Sequence, residues 1–244
     1  MTFWLVATVV RLFNRAMGHR MERHGPGRLP STGAAVLAIN HTAYVDFIYV
    51  GVEAYRYDQR QVRFMGKVEL SGNPILRWAM RGCGVILVDR AAGRDSYVTA
   101  VEELRRGEVV GIYPEATISR SFELKAFKSG AARMALEADV PIIPVIVWGA
   151  QRIATKGRPK RLGRTKTPVM VSVGEPITAA GTPDELTERL REAMQAMLLD
   201  VQDAYGPHGV GEDWVPARLG GSAPTLAEAD EMGRHDGKGT RAAE

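Results

Sequence analysis

The chain has 244 residues and a mass of 26.7 kDa, with 45% hydrophobic and 25% charged residues. It is long enough to bury one core without staples, and its composition excludes a collagenous or wholly disordered protein. The single cysteine, Cys83, excludes an intrachain disulfide. The net charge of +4 is uneven: residues 206–244 hold seven acids and four bases, which leaves +7 on residues 1–205. A basic body of this kind points to an anionic partner: phosphate, nucleic acid or a lipid surface.

The first ten residues, MTFWLVATVV, are apolar, and Arg11 and Arg15 follow. This run is shorter than the roughly 20 residues that cross a bilayer. It also lacks the basic start and cleavage site of a secretory signal. Phe3, Trp4, Val6, Val10, Phe13 and Met17 fall near one helical stripe, which fits an interfacial anchor or a helix packed on the domain's own core. Short apolar runs predict strands over 34–40, 62–67, 84–89, 109–114, 141–149 and 169–174. Between them, helices are expected over 43–56, from Pro74 to about Arg81, over 95–106 and over 129–138. Asn73-Pro74 reads as an N-cap followed by proline at the first helical position. The Thr182-Pro183-Asp184-Glu185 run is a capping box that opens a helix reaching Ala204. The alternation predicts an α/β layered sandwich around a largely parallel or mixed sheet, in a single domain. Residues 206–244, rich in glycine, proline and charge, are expected to form a disordered tail.

In such sheets ligands sit beyond the carboxyl ends of the strands. Asn40 and His41, Lys67, Asp89 and Arg90, and Glu115 each follow a predicted strand. His41 and Asp46 form an H-x4-D pair in NHTAYVD. A carboxylate one turn into the next helix can fix the tautomer of a histidine at a strand end, and an oriented imidazole can take a proton from a hydroxyl. The same spacing recurs at His208 and Asp213, so the pattern alone is not specific. There is no G-x-S-x-G, H-E-x-x-H, P-loop or G-x-G-x-x-G motif, and no Cys/His spacing of the zinc type, so no metal is expected. A base without a protein nucleophile suggests a substrate that brings its own hydroxyl. Arg90 could grip a phosphate or pair with Asp89 or Asp95. Glu115, Thr117 and Arg120 in YPEATISRS could serve a ligand or a capped turn. Between Gln151 and Pro168 stand seven basic residues and no acid, suited to anionic headgroups. No aromatic residue interleaves with them, which argues against nucleic acid as a partner.

Taken together, four ordered blocks resemble those of the lysophospholipid acyltransferase family, typified by 1-acylglycerol-3-phosphate acyltransferase. They are NHTAYVD with His41 and Asp46, GVILVDR ending in Arg90, YPEATIS with Glu115 and Thr117, and VPIIPV over 140–145. The end of the Lys67 strand and FKSGAARMA (127–135) are similar as well, so the likeness covers residues 30–180. The family usually has glycine at position 116 and arginine at position 118, where this chain has Ala116 and Ile118. The resemblance implies an acyltransferase in which His41, steered by Asp46, deprotonates a lysophospholipid hydroxyl. Lys67, Arg90, Glu115, Ala116, Thr117 and Arg120 would hold the acceptor. The donor would be acyl-CoA or acyl-carrier protein, with no cofactor. It further implies a membrane-associating helix over 1–28, a catalytic domain over 29–205, and a peripheral place on the cytoplasmic face of the plasma membrane.

Overall fold

The structure, a computed structural model, describes residues 2–25, 29–58, 60–89 and 93–241. Helix α1 (Thr2–Met17) leads into strand β1 (Arg20–His24). The core elements then follow: β2 (Ala35–Ile39), α2 (Asp46–Asp58), β3 (Val62–Lys67), α3 (Pro74–Gly82), β4 (Ile86–Val88), α4 (Gly93–Arg105) and β5 (Val109–Ile112). After a long loop come α5 (Gly130–Ala138), β6 (Ile142–Trp148), β7 (Pro168–Val173), α6 (Pro183–Ala204) and α7 (Leu226–Arg241).

The strands form one sheet in the order β1-β7-β6-β2-β5-β3-β4. β6, β2, β5, β3 and β4 run parallel, and β7 joins β6 antiparallel. β2 and β6 lie at the centre and read as continuous apolar runs because both of their faces are covered. One core layer packs α4, α5 and α6 against the sheet through Leu104, Met134, Leu190 and Met194. The other packs Tyr49, Val50 and Ala54 of α2 against Leu37, Val145 and Val171. Gly111 of β5 is required by a close approach, since a Cβ there would stand 2.8 Å from the Phe64 ring.

Two predicted caps are formed. Asn73 Oδ1 accepts the N–H groups of Ile75 and Leu76 at 2.9 and 3.1 Å, with Pro74 at the first helical position. Thr182 and Glu185 exchange side-chain and backbone bonds at the start of α6.

Two segments differ from expectation. Arg20–His24, within the stretch expected to be a membrane-associating helix, is an edge strand paired with β7. Its polar sequence, RMERH, hides it, because an edge strand needs only one covered face. Residues 206–230, within the stretch expected to be disordered, pack on the domain instead. Trp214, Val215, Ala223 and Ala229 are buried, and Ala223 joins the layer of α6. Ion pairs of Asp213 with Arg158 and of Arg218 with Glu123, and Arg152 over the Trp214 ring, add to these apolar anchors.

Candidate active site

Asn40 terminates β2. Its side-chain oxygen accepts the Val147 N–H at 2.7 Å, and its amide donates to the Val147 carbonyl at 3.1 Å. The wholly buried side chain thus replaces one rung of the β2–β6 ladder and fixes the direction in which the chain leaves the sheet.

His41 follows directly. Its Nδ1 lies 3.1 Å from Asp46 Oδ2, its N–H donates to Glu115 Oε1 at 2.7 Å, and its carbonyl accepts the Ser119 N–H at 2.8 Å. Its ring stacks on Tyr113, with centroids 3.9 Å apart and planes 20° from parallel. About a fifth of the side chain (19%) stays exposed. A carboxylate only accepts, so the partnership assigns the proton to Nδ1 and leaves the Nε2 lone pair for an incoming donor.

Asp46, the first residue of α2, is fully buried, and the same Oδ2 also accepts the N–H groups of Thr42 and Ala43 at 2.9 and 2.8 Å. Burial pushes its carboxyl above the usual range, while His41 and the two amides pull it back. Its place at a helix N-terminus also favours the anion.

Glu115 works as a clasp between two loops. Besides the His41 N–H, its Oε2 accepts the Lys125 N–H at 3.0 Å. Burial pushes this carboxyl up to about 7. Ala116 takes a left-handed backbone, φ 59°, a conformation that glycine adopts freely; for a side-chain-bearing residue it costs about 1 kcal/mol. Thr117 is half-buried at the edge of the turn, and Lys125 Nζ donates to its Oγ1 at 3.2 Å. Ile118 turns into the interior.

Of the remaining candidates, Lys67 and Arg120 fall among the described residues. Lys67 closes β3, which the parallel register sets two strands from β2. Arg120 packs toward the basic segment, where a Cβ on Gly157 would stand 3.5 Å from its Nε. Arg90 lies outside the described residues. The root of the 151–168 segment is tied to the loop after His41: Thr155 Oγ1 donates to the Thr42 carbonyl at 2.6 Å, and the Tyr44 N–H donates to the Ala154 carbonyl at 2.9 Å. Its bases divide. Arg152 stacks over Trp214 and Arg158 pairs with Asp213, whereas Lys160, Arg161, Arg164 and Lys166 face solvent. Tyr113 and Lys125 were not singled out in the sequence. For Tyr113 a signal existed: an aromatic residue at the end of a predicted strand, beside a proline.

Among the described residues, no group of three or more His, Cys, Asp or Glu side chains could hold a metal ion. A cavity of about 460 Å³ lies between the end of α6 and the 206–219 segment, lined by Gln202, Asp203, His208 and Arg218 among others, and none of the residues around His41 lines it.

The sequence model of the family described as Acyltransferase matches residues 20–148. Over 156 residues the chain is 30% identical to the 1-acyl-sn-glycerol-3-phosphate acyltransferase of Bacillus subtilis, an alignment covering 62% of this chain and 71% of that protein. It is 29% identical over 143 residues to the chloroplastic 1-acyl-sn-glycerol-3-phosphate acyltransferase LPAT1 of Arabidopsis thaliana, covering 57% of this chain and 39% of that longer protein. The crystal structure of the 1-acyl-sn-glycerophosphate (LPA) acyltransferase PlsC from Thermotoga maritima matches with a TM-score of 0.67 at 20% identity, covering 81% of this chain and 80% of that one, so the fold is shared. With the family's sequence model spanning more than half of its length, the chain belongs to the acyltransferase family and is an acyltransferase.

Proposed function

We propose that this acyltransferase moves a fatty acyl group from a thioester donor, acyl-CoA or acyl-carrier protein, to the free hydroxyl of 1-acylglycerol-3-phosphate, giving phosphatidic acid. The carrying observation is the His41 imidazole, held on one side by buried Asp46 and on its face by Tyr113, with Nε2 left to act. The names of the relatives support the choice of acceptor.

In this reading His41 Nε2 removes the hydroxyl proton as the oxygen attacks the thioester carbonyl, and Asp46 stabilises the imidazolium that forms. Collapse of the tetrahedral intermediate breaks the carbon–sulfur bond, and the departing thiolate takes the proton back from His41. The nucleophile comes from the substrate. Cys83, the single thiol, ends α3 and is pushed by burial away from its reactive thiolate form. Lys67, Arg90, Thr117 and Arg120 are the residues proposed to hold the acceptor. Ala116 shapes the turn, and Glu115 acts through the backbone it clasps.

The acceptor is a lipid, and the surface suits one. No helix among the described residues is long and apolar enough to cross a membrane. On α1, Trp4, Leu5, Val9, Leu12 and Phe13 are exposed, and Ile75, Leu76 and Trp78 of the neighbouring α3 are exposed as well. An apolar face of this kind, with arginines close by, fits a peripheral enzyme lying on the anionic cytoplasmic leaflet.

The test is to incubate the purified protein with labelled acyl-CoA and a panel of lysolipids. The expected result is one free thiol per molecule of phosphatidic acid, with lysophosphatidate preferred. Thiol release with free fatty acid and no lipid product would instead make water the acceptor and overturn the reading.

A further inference from the structure

The geometry points to Lys125 as a cation that grips the acceptor's phosphate, with Asp230 of α7 as the internal anion that competes for it; the inference rests on the lysophosphatidate reading above. Position 118, in the turn after β5, is a buried isoleucine. Lys125 brings a cation to the turn from further along the chain. Its Nζ donates to Thr117 Oγ1 at 3.2 Å, and its side chain is only 18% exposed, so the ammonium is held over the turn rather than left to water.

The link to the reacting group is short. The Lys125 N–H bonds one oxygen of Glu115, and the other oxygen bonds the His41 N–H. A single buried carboxylate therefore sets the spacing between the Lys125 backbone and that of His41. An ammonium has three protons, and Thr117 takes one. The Asp230 carboxylate stands 3.5 Å from Nζ, longer than a good charge-assisted bond of about 2.8 Å. The contact shows that an anionic oxygen can reach Nζ, and its length leaves room for a phosphate to bind more tightly. Asp230 is 45% exposed, so on release it returns to water easily. Another charged pair, Arg218 with Glu123, is closed at 2.8 Å and ties the C-terminal segment to the same loop. An anion arriving at Lys125 would exchange one carboxylate contact while the segment stays anchored.

The experiment compares kcat and KM for 1-acylglycerol-3-phosphate and for monoacylglycerol in the wild type, Lys125→Met, Lys125→Arg and Asp230→Asn, with thermal unfolding as the check on folding. Loss of a charge-assisted bond predicts that Lys125→Met lowers the preference for the phosphorylated acceptor by about 10- to 100-fold, mostly through KM. Lys125→Arg should restore most of it. Asp230→Asn should lower KM for the phosphorylated acceptor about 2- to 5-fold, as removal of a competitor does. An unchanged preference in folded Lys125→Met, or a fall in kcat with KM unmoved, overturns the assignment. Should Lys125→Met fail to fold, Asp230→Asn decides, and an unchanged KM there counts against it. A wild type that uses neither acceptor sinks the lysophosphatidate reading itself, an outcome distinct from a wild type whose preference ignores position 125.

Discussion

At His41 two loops converge. The start of α2 supplies Asp46 to the ring, and the loop after β5 supplies Glu115 and Ser119 to the backbone and Tyr113 to the ring face. The H-x4-D spacing made the first of these legible in the sequence, because a short loop into a helix dictates it. The others join residues more than 70 positions apart, and no local pattern carries them. Glu115 stood out in the sequence as a candidate, but its contacts did not: both of its oxygens bond backbone amides. Its folded value near 7 stands above the ordinary 4.5, so between those values the folded protein holds a proton that the unfolded chain has released. Stability therefore falls as pH rises from about 4.5 to about 7, by up to about 3 kcal/mol, and levels off above. Asp46 is shifted the same way and cancels when the wild type is compared with Glu115→Gln. Urea unfolding at pH 5 and pH 8 should show that the variant loses most of this slope, together with one clasp bond, because its amide would face a backbone N–H. An identical slope in both proteins would contradict the role given to Glu115.

Elements with strong periodicity or clear caps were readable. Predicted and observed bounds agree within one to three residues for six strands and five helices, from β2 to α6. Two elements were missed because their stability comes from partners rather than from pattern. β1 is polar and is fastened by register with β7 and by Arg23, whose Nε lies 3.2 Å from buried Glu53 of α2. Removing the buried partner leaves a partly desolvated guanidinium. Glu53→Ala should therefore cost about 2 kcal/mol, less than a fully buried pair because Arg23 can reach water. Chemical denaturation measures this, and a cost below about 0.5 kcal/mol, the range of a surface change, would mean that the pair does not hold β1. The 206–230 stretch is likewise held by Trp214, Val215 and Ala223, and by pairs of Asp213 with Arg158 and Arg218 with Glu123. Its composition resembles a tail, and only the docked partners reveal it as part of the fold.

At the scale of the molecule, the parallel strands deliver His41, Glu115 and Lys67 to one edge of the sheet, and α1 with α3 offers an apolar surface. Strand order was beyond the sequence, since alternation fixes the layers but not which strands adjoin. The proposed membrane face has its own test. Leu12 is 62% exposed, and Leu12→Asp should weaken binding to anionic vesicles at least about 10-fold, through lost apolar burial and added repulsion. Wild-type binding should also weaken with added salt, and equal binding to neutral and anionic vesicles would argue against the basic segment. The most direct test of the whole account is the acyl-transfer kcat of His41→Ala. The variant keeps the backbone bonds to Glu115 and Ser119, so its circular dichroism and unfolding midpoint should stay near wild type, while kcat falls by about 10²- to 10⁴-fold. Turnover within a few-fold of wild type in the folded variant would contradict the account.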